Sequence, residues 1–400
     1  MLFRSYADAG RCYEQAGDKK SAARCWAKQA EQQGQSLKAA QWYEQAAMYA
    51  DAGRCYERAD QYLKAAECYE KAGDLTSSAR CLAKHAEQKG ELLQAAQWYE
   101  KAGHYPEAAM CYELVQQYAD AGRCYAQAGE YADAGRCYEQ AEMYADAGWC
   151  YEQAEMYADA GRCYDKAGRY ADAGRCYVKV RYFSNAGRCY EKAGKHLVAA
   201  RCYVKAREYL PAARCYGSAG EYLPAAQCYE KAGEYAEAAR CYERVQHYAD
   251  AGRCYHEAKE YLKAARCHEL TGDYLQAAQC YEKAGEHLQA ARCYERVQHY
   301  ADAGRCYEKA EMYADAGRCY EQAGAKKSAA SCWAKQAEQQ GQTLKAAQWY
   351  EQAEMYADAG RCYDKAGRYA DAGRCYEQAE MYADAGRCYE QAGEIGRAHV

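Results

Sequence analysis

Small and apolar residues recur along this 400-residue chain in a pattern that fits one face of a short helix. Around Cys137 they stand at Ala134, Cys137, Tyr138 and Ala141, which is the i, i+3, i+4, i+7 spacing of an amphipathic helix. The pattern repeats after 13 residues, an interval that turns a continuous helix by about 220° beyond whole turns. One long helix would scatter this stripe around its axis. The chain must therefore reverse after each repeat, which predicts many short antiparallel helices.

Cysteine marks the same position in nearly every repeat. From Cys111 to Cys332 the cysteines stand 13 residues apart without interruption. Elsewhere the series has three gaps, and a tryptophan fills each of them, at Trp42, Trp98 and Trp349. The 26 cysteines and three tryptophans together mark 29 repeats. Periodicity of this kind is typical of a solenoid, in which each unit is stable only against its neighbours.

The ends of each helix can also be predicted. Glycines such as Gly129 and Gly168 stand just past the apolar stripe, where a left-handed residue favours helix termination. Asp133 and its equivalents put negative charge in the first turn, and Pro106 is tolerated there. In three repeats the spacing grows from 13 to 17 residues and the glycine moves too, as at Gly34. Because four residues make about one turn, we predict helices of about 10 residues, three of them one turn longer.

The sequence of a repeat resembles that of known helical repeats. Residues 226–238 read Ala-Gln-Cys-Tyr-Glu-Lys-Ala-Gly-Glu-Tyr-Ala-Glu-Ala. This is similar to the helix-turn-helix junction of tetratricopeptide-like repeats and, more closely, to the short-repeat solenoids of the SNAP adaptor, coatomer and intraflagellar-transport type. Two repeats here make 26 residues, whereas a tetratricopeptide repeat has 34. Individual binding positions are therefore not carried over, and the resemblance implies only protein–protein interaction.

The expected fold class is all-α, an α-solenoid of about 29 short antiparallel helices with a right-handed superhelix, over residues 1–394. Residues 395–400 read Ile-Gly-Arg-Ala-His-Val and do not follow the repeat pattern. They match the read-through of a sequencing adapter, so we expect an artefact tail on a chain that naturally continues. Residues 6–56 and 313–363 differ at only four positions, which either duplication or misassembly of repetitive reads would explain.

Composition excludes several classes of protein. The chain has 46 Tyr, 26 Cys and only 2 Phe, with a net charge of −5. This balanced charge argues against nucleic acid or an anionic membrane as an electrostatic partner. The sequence has no run of apolar residues long enough for a membrane span, and its first residues are too polar for a secretory signal. We expect no membrane association and a cytoplasmic location.

The cysteines are the first candidates for chemistry. Zinc sites use pairs such as Cys-x₂₋₄-Cys, and the regular spacing here offers none. Buried small-residue packing is therefore favoured, with a thiol ladder that binds soft metals or oxidises as the alternative. No metalloprotease, phosphate-loop or nucleophile-elbow motif appears. His247 and His299 lie in two copies of the same segment, Arg-Val-Gln-His-Tyr-Ala-Asp. We predict no catalytic, cofactor-binding or metal-ligating residues, no cofactor, and no enzyme.

Tyrosine and arginine recur as regularly as cysteine. Tyr131 and Tyr138 represent two tyrosines per repeat, which we interpret as packing residues; an aromatic ladder for peptides, glycans or self-association is the alternative. Arg precedes Cys in 20 repeats, as at Arg136. Asp133 and Glu139 stand three residues to either side, at contact spacing on a helix. We therefore expect neutralised arginines, with a row that binds single-stranded RNA as the alternative.

The function expected from these features is a non-catalytic scaffold whose partners are other proteins or peptides. A self-assembling filament or tube is the main alternative, because near-identical units that stack head to tail form open assemblies. A helical-repeat RNA binder is the third and least supported possibility.

Overall fold

A computed structural model of the chain confirms the all-α class. It describes the backbone of residues 2–398 and the side chains of residues 6–393. Over this range 29 helices follow one another in sequence, and no strand occurs among them. The helices divide into two compact units, Met1–Ala206 and Arg207–Val400.

The first unit contains α1 (Leu2–Gln15), α2 (Lys19–Gln32), α3 (Ser36–Gln45), α4 (Tyr49–Arg58), α5 (Tyr62–Lys71), α6 (Leu75–Gln88), α7 (Leu92–Lys101), α8 (Tyr105–Leu114), α9 (Tyr118–Ala128), α10 (Tyr131–Gln140), α11 (Tyr144–Gln153), α12 (Tyr157–Lys166), α13 (Tyr170–Lys179), α14 (Phe183–Lys192) and α15 (His196–Lys205).

The second unit contains α16 (Tyr209–Ser218), α17 (Tyr222–Ala232), α18 (Tyr235–Arg244), α19 (Tyr248–Glu257), α20 (Tyr261–Thr271), α21 (Tyr274–Ala284), α22 (His287–Arg296), α23 (Tyr300–Lys309), α24 (Tyr313–Gln322), α25 (Lys326–Gln339), α26 (Thr343–Gln352), α27 (Tyr356–Lys365), α28 (Tyr369–Gln378) and α29 (Tyr382–Ala398).

Helix lengths follow the spacing of the repeats. A regular repeat forms a helix of 10 or 11 residues, as in α10 and α9. The helices α2, α6 and α25 have 14 residues each, so the four extra residues do add one turn. Helices this short are unstable alone in water. Each is held by contacts with the helix before and after it in the same unit.

Each turn between consecutive helices contains one residue in the left-handed conformation. Fifteen of these 28 residues are glycine, including the predicted Gly129 and Gly168, and thirteen are not. After α10, Glu142 takes this position with φ 58°, and the Met143 N–H donates to the Tyr138 carbonyl at 2.9 Å. This hydrogen bond belongs to the Schellman motif. The non-glycine turns keep the same geometry because contacts between the flanking helices over-determine it.

The predicted apolar stripe forms the core of each unit. In α12, for example, Ala160, Cys163 and Tyr164 are buried. Small residues let neighbouring helices approach closely: a Cβ added at Gly148 in α11 would lie 2.8 Å from the ring of Tyr164. Ala, Cys, Gly and Tyr together therefore replace the usual Leu, Ile and Val core.

None of the helices described is long and apolar enough to cross a membrane. The right-handed superhelix and the single array over residues 1–394 stay predictions. The last helix, α29, continues past Gly393 to Ala398, so this glycine does not end a helix. The predicted artefact tail, residues 395–400, lies outside the residues whose side chains the structure describes.

Candidate interaction surface

One glutamate near the end of a regular repeat connects three successive helices. Glu139 in α10 accepts a hydrogen bond from the Oη of Tyr151 in α11 at 3.4 Å. Arg162 and Lys166 in α12 reach the same carboxylate at 3.3 and 3.2 Å. Burial would raise the pKa of Glu139, but the hydrogen bond from Lys166 and the charge of Arg162 lower it overall. We call the glutamate twelve residues before a core tyrosine a bridging glutamate.

Bridging glutamates recur in both units. The tyrosine Oη donates to the carboxylate twelve residues earlier at 2.5 to 3.4 Å. In several repeats a cysteine Sγ donates to the carboxylate 24 residues earlier, at 3.3 to 3.7 Å. In the longer α2 the bridging glutamate moves with the extra turn, and Glu31 accepts from Tyr43 at 2.7 Å. Each such carboxylate therefore joins helices n, n+1 and n+2.

The cysteines face the interior of each unit. Their side chains are buried except for exposed Cys12 and half-buried Cys241. Burial, aided by a hydrogen bond to Glu113, raises the pKa of Cys137 to about 12. A thiol of this kind stays protonated at neutral pH and is a poor nucleophile and metal ligand. Among the side chains that the structure describes, no three His, Cys, Asp or Glu are placed to hold a metal ion.

Shallow grooves lie on the surface between helices n and n+2, with a tyrosine of helix n+1 contributing to the lining; we say that such a groove lies above helix n+1. The groove above α18 has a volume of about 570 Å³ and is lined by Gln227, Glu230, Lys231, Tyr235, Arg253 and Glu257. Comparable grooves of about 550 and 440 Å³ lie above α5 and α8. The residue before the cysteine and the third residue after it line these grooves. We call these two places in each helix the groove positions.

In many regular repeats the cations at the groove positions have partners, as in α12. Arg162 lies 3.1 Å from Asp159 of its own helix and 3.3 Å from Glu139. The Lys166 ammonium lies 4.9 Å from the centre of the Tyr144 ring, a cation–π contact. Exposed ion pairs contribute only about 0–1 kcal/mol each to stability. They nevertheless neutralise the paired cations, whereas binding to nucleic acid relies on free cations that neutralise phosphates.

Three repeats carry a large apolar side chain at a groove position instead, and in α20 it is Leu270, which is 66% exposed. In α8 the two groove positions hold Met110 and Leu114, which are 51% and 68% exposed. In α11 the first groove position is Trp149, which is 47% exposed and stands edge-on to Tyr131 at a centroid distance of 5.6 Å. The bridging position of α9, two helices before Trp149, holds Ala126 rather than glutamate. Exposed apolar groups beside polar grooves are typical of interaction surfaces.

The predicted arginine pairing is confirmed for one of its two partners. Arg136 lies 2.8 Å from Asp133 in the same helix. Its second carboxylate is Glu113 of α8 at 3.8 Å, whereas Glu139 bonds to the two helices that follow. Sequence reasoning missed the bridging glutamates. Their signal was present, because a glutamate stands three residues before the turn residue in most 13-residue repeats and in all three 17-residue ones.

The other residues singled out from the sequence occupy structural positions. Tyr131 is the first residue of α10, and Tyr138 packs against the buried core. His247 and His299 each precede a helix and stack on a tyrosine with ring centres 6.3 Å apart. The Nδ1 of each lies 3.6 Å from an aspartate. Within the second unit, His247 and His299 therefore have separate partners.

This architecture defines the class of tandem helical-repeat solenoids. The family model described as Soluble NSF attachment protein, SNAP, matches residues 180–300 and 227–366. The model of the Aromatic-di-Alanine (AdAR) repeat matches residues 9–18, 39–50, 52–61, 65–75, 95–105, 108–114, 121–132, 134–145, 160–171, 372–382 and 385–395. Together with the tandem short helices, these matches make the chain a SNAP-like helical-repeat solenoid.

No curated protein sequence matches the chain. The SNAP-like repeat family suggests a protein-interaction scaffold, and its fold is typically non-catalytic. The expected class of partner is therefore another protein.

Proposed function

We propose that this chain is a non-catalytic scaffold that binds other proteins through the grooves between helices n and n+2. The observation that carries the proposal is where the repeats differ from one another. The buried positions hold mainly Ala, Gly, Cys and Tyr throughout, whereas the groove positions hold Arg, Lys, Gln, Met, Leu, Trp, Ser or Glu. Variation at exposed groove positions, over a nearly constant core in each unit, gives each groove its own chemistry.

The groove between α6 and α8 departs most from the regular pattern. Glu87 is the bridging glutamate of α6 and accepts from the Oη of Tyr99 at 2.6 Å and from the Sγ of Cys111 at 3.7 Å. The groove positions of α8 that would supply cations to it hold Met110 and Leu114. This groove therefore combines a carboxylate with two exposed apolar side chains one turn apart.

The chemistry of this groove indicates the kind of partner it fits. Burial of a methionine or leucine side chain contributes about 1.5–3 kcal/mol, and a few such residues dominate most interfaces. A Lys or Arg of the partner would complete the pairing of Glu87. We infer that the partner presents an amphipathic helical segment with large apolar residues and a basic residue about one turn away.

Selection from a random peptide display library on the full chain tests the proposal. The counter-target is a variant with Met110→Arg and Leu114→Lys, which restores the regular groove chemistry and adds two positive charges. A control variant with Gln127→Lys and Gln140→Lys adds the same charge at groove positions of α9 and α10. We expect enriched peptides that combine apolar and basic residues, bind the control variant and fail on the counter-target. Enrichment that is equal on all three proteins would contradict the assignment to α8.

Self-assembly is separated from this proposal by light scattering on the full chain over a range of concentrations. A constant mass of one chain supports the scaffold, whereas growth into fibres of fixed diameter would overturn it in favour of a structural polymer. The free cysteines fit a reducing compartment, so we propose the cytoplasm as its location.

A further inference from the structure

At one place in the second unit histidines replace the bridging arrangement. The bridging position of α19 holds His256, and the core-tyrosine position of α20 holds His268. In regular repeats a glutamate and a tyrosine stand there and share a hydrogen bond. Histidine occurs at neither position in any other repeat. This contact between α19, α20 and α21 therefore rests on two histidines, where the regular contact rests on a glutamate and a tyrosine.

His256 holds its neighbours as a neutral ring. The Nζ of Lys283 in α21 lies 2.7 Å from the Nε2 of His256. Because an ammonium group can only donate, Nε2 must be the acceptor and carry no proton. The Nδ1 lies 3.8 Å from Glu257, and the ring stands edge-on to Tyr261 at 5.5 Å. Protonation at Nε2 would remove the acceptor and place two cations side by side.

His268 takes the place of the tyrosine ring against α19. A Cβ added at Gly252 would lie 2.9 Å from its Nε2, so the ring fills the contact between the two helices. Burial lowers the pKa of His268; Asp273 opposes this shift and His256 reinforces it. The folded state therefore favours the neutral ring. Its contribution to stability is present above the ordinary histidine pKa of about 6.5 and is lost as the pH falls below it.

The carboxylates around the two histidines would stabilise the protonated rings only in part. A cavity of about 450 Å³ beside them is lined by Ala249, Asp250, Arg253, His256, His268, Thr271, Asp273 and Gln276. Asp250 already pairs with Arg253 at 3.2 Å. Asp273 accepts the Gln276 N–H at 3.2 Å as the cap of α21. The Glu257 carboxylate, 3.8 Å from Nδ1, would attract a protonated His256. The Lys283 ammonium, which is closer at 2.7 Å from Nε2, would repel it.

We propose that His256, His268 and Lys283 form an acid-sensitive joint, in which protonation of the histidines breaks the Lys283–His256 hydrogen bond and loosens the contacts among α19, α20 and α21. Joints built on bridging glutamates keep their charge over the same range. Burial would raise the pKa of Glu282, but the hydrogen bond from Tyr294 and the charge of Arg305 hold it below its usual value.

Hydrogen–deuterium exchange of the full chain at pH 7.5, 6.5 and 5.5, corrected for intrinsic exchange rates, tests this joint. Peptides from α19 to α21 are expected to exchange about tenfold faster at pH 5.5, equivalent to about 1.4 kcal/mol. Peptides from α22 and α23, which Glu282 holds, serve as the internal control. Their exchange rates should change by less than about twofold between pH 7.5 and 5.5, which corresponds to less than about 0.4 kcal/mol. An equal change in both segments, or none in α19–α21, would overturn the proposal.

Variants separate the joint from general acid sensitivity. His256→Gln keeps an acceptor for Lys283 without a titrating group, so it should retain protection at pH 7.5 and lose most of the pH response. His256→Glu with His268→Tyr rebuilds the regular arrangement and should remove the response altogether. His299→Gln, outside the joint, should keep it. A response that persists in the first two variants refutes the assignment to these histidines.

Discussion

The thirteen non-glycine residues in left-handed turns predict where the chain can be stabilised. Glu142 lies in the turn between α10 and α11, with φ 58°, and its side chain is exposed. Its N–H donates to the Glu139 carbonyl at 3.1 Å, a bond that any residue other than proline can make. Glu142→Gly should therefore keep the turn and remove the strain of a side chain in this conformation.

The magnitude follows from two opposed terms. A side chain in the left-handed region costs about 1–2 kcal/mol. Glycine loses more chain entropy on folding, which costs about 0.5–1 kcal/mol. We expect Glu142→Gly to raise the free energy of unfolding by about 0.5–1 kcal/mol, the difference of these terms. Gly129→Ala should lower it by a similar amount, because Gly129 has φ 82° and an added Cβ meets no atom within 4 Å.

Urea denaturation combined with hydrogen exchange in α10 and α11 is the appropriate assay, because repeat arrays need not unfold in two states. Glu142→Ala is the matched control, since it removes the same charge and side chain but keeps a Cβ at positive φ. The strain argument requires the glycine variant to be more stable than both the alanine variant and the original chain. Equal stability of the two variants would show that charge, and not backbone conformation, controls this turn.

Two further predictions follow from the core and the bridging glutamates. Glu139→Gln should lower stability around α10–α12 by about 1–2 kcal/mol at neutral pH, whereas the control Glu142→Gln should have little effect on local hydrogen exchange. Because the pKa of Glu139 is lowered in the folded chain, the difference between Glu139→Gln and the original chain should disappear as the pH falls through that pKa. Iodoacetamide at pH 7.5, read by peptide mass spectrometry, should modify exposed Cys12 well before Cys137, whose pKa burial raises to about 12; similar rates at both would contradict the buried-thiol account.

Local features of the fold could be predicted from the sequence because each is set within one repeat. The spacing of Cys137 from its neighbours gives the number and length of the helices, and Gly129 marks a left-handed turn. The turn at Glu142 lacks that marker, since contacts between helices impose its conformation. The bridging role of Glu139 depends on how α10, α11 and α12 are placed against one another. A pattern within one helix carries no such information, so the pairing with Arg162 could not be predicted.

The chemistry of the grooves could be predicted from the sequence only in part. That Met110 and Leu114 depart from the regular repeat is visible in the sequence, but their shared exposure beside Glu87 depends on how α6 and α8 pack. The same holds for His256 and His268, which are twelve residues apart and line one cavity because α19 and α20 pack against each other.

The affinity of one enriched peptide for three full-chain proteins tests the proposed function most directly. Isothermal titration would compare the original chain, the Met110→Arg/Leu114→Lys variant, and the Gln127→Lys/Gln140→Lys control. Loss of two central apolar contacts should weaken binding by about 2 kcal/mol, or roughly 30-fold, in the first variant, with little change in the control. Equal affinity for all three proteins would show that the groove between α6 and α8 is not the binding surface.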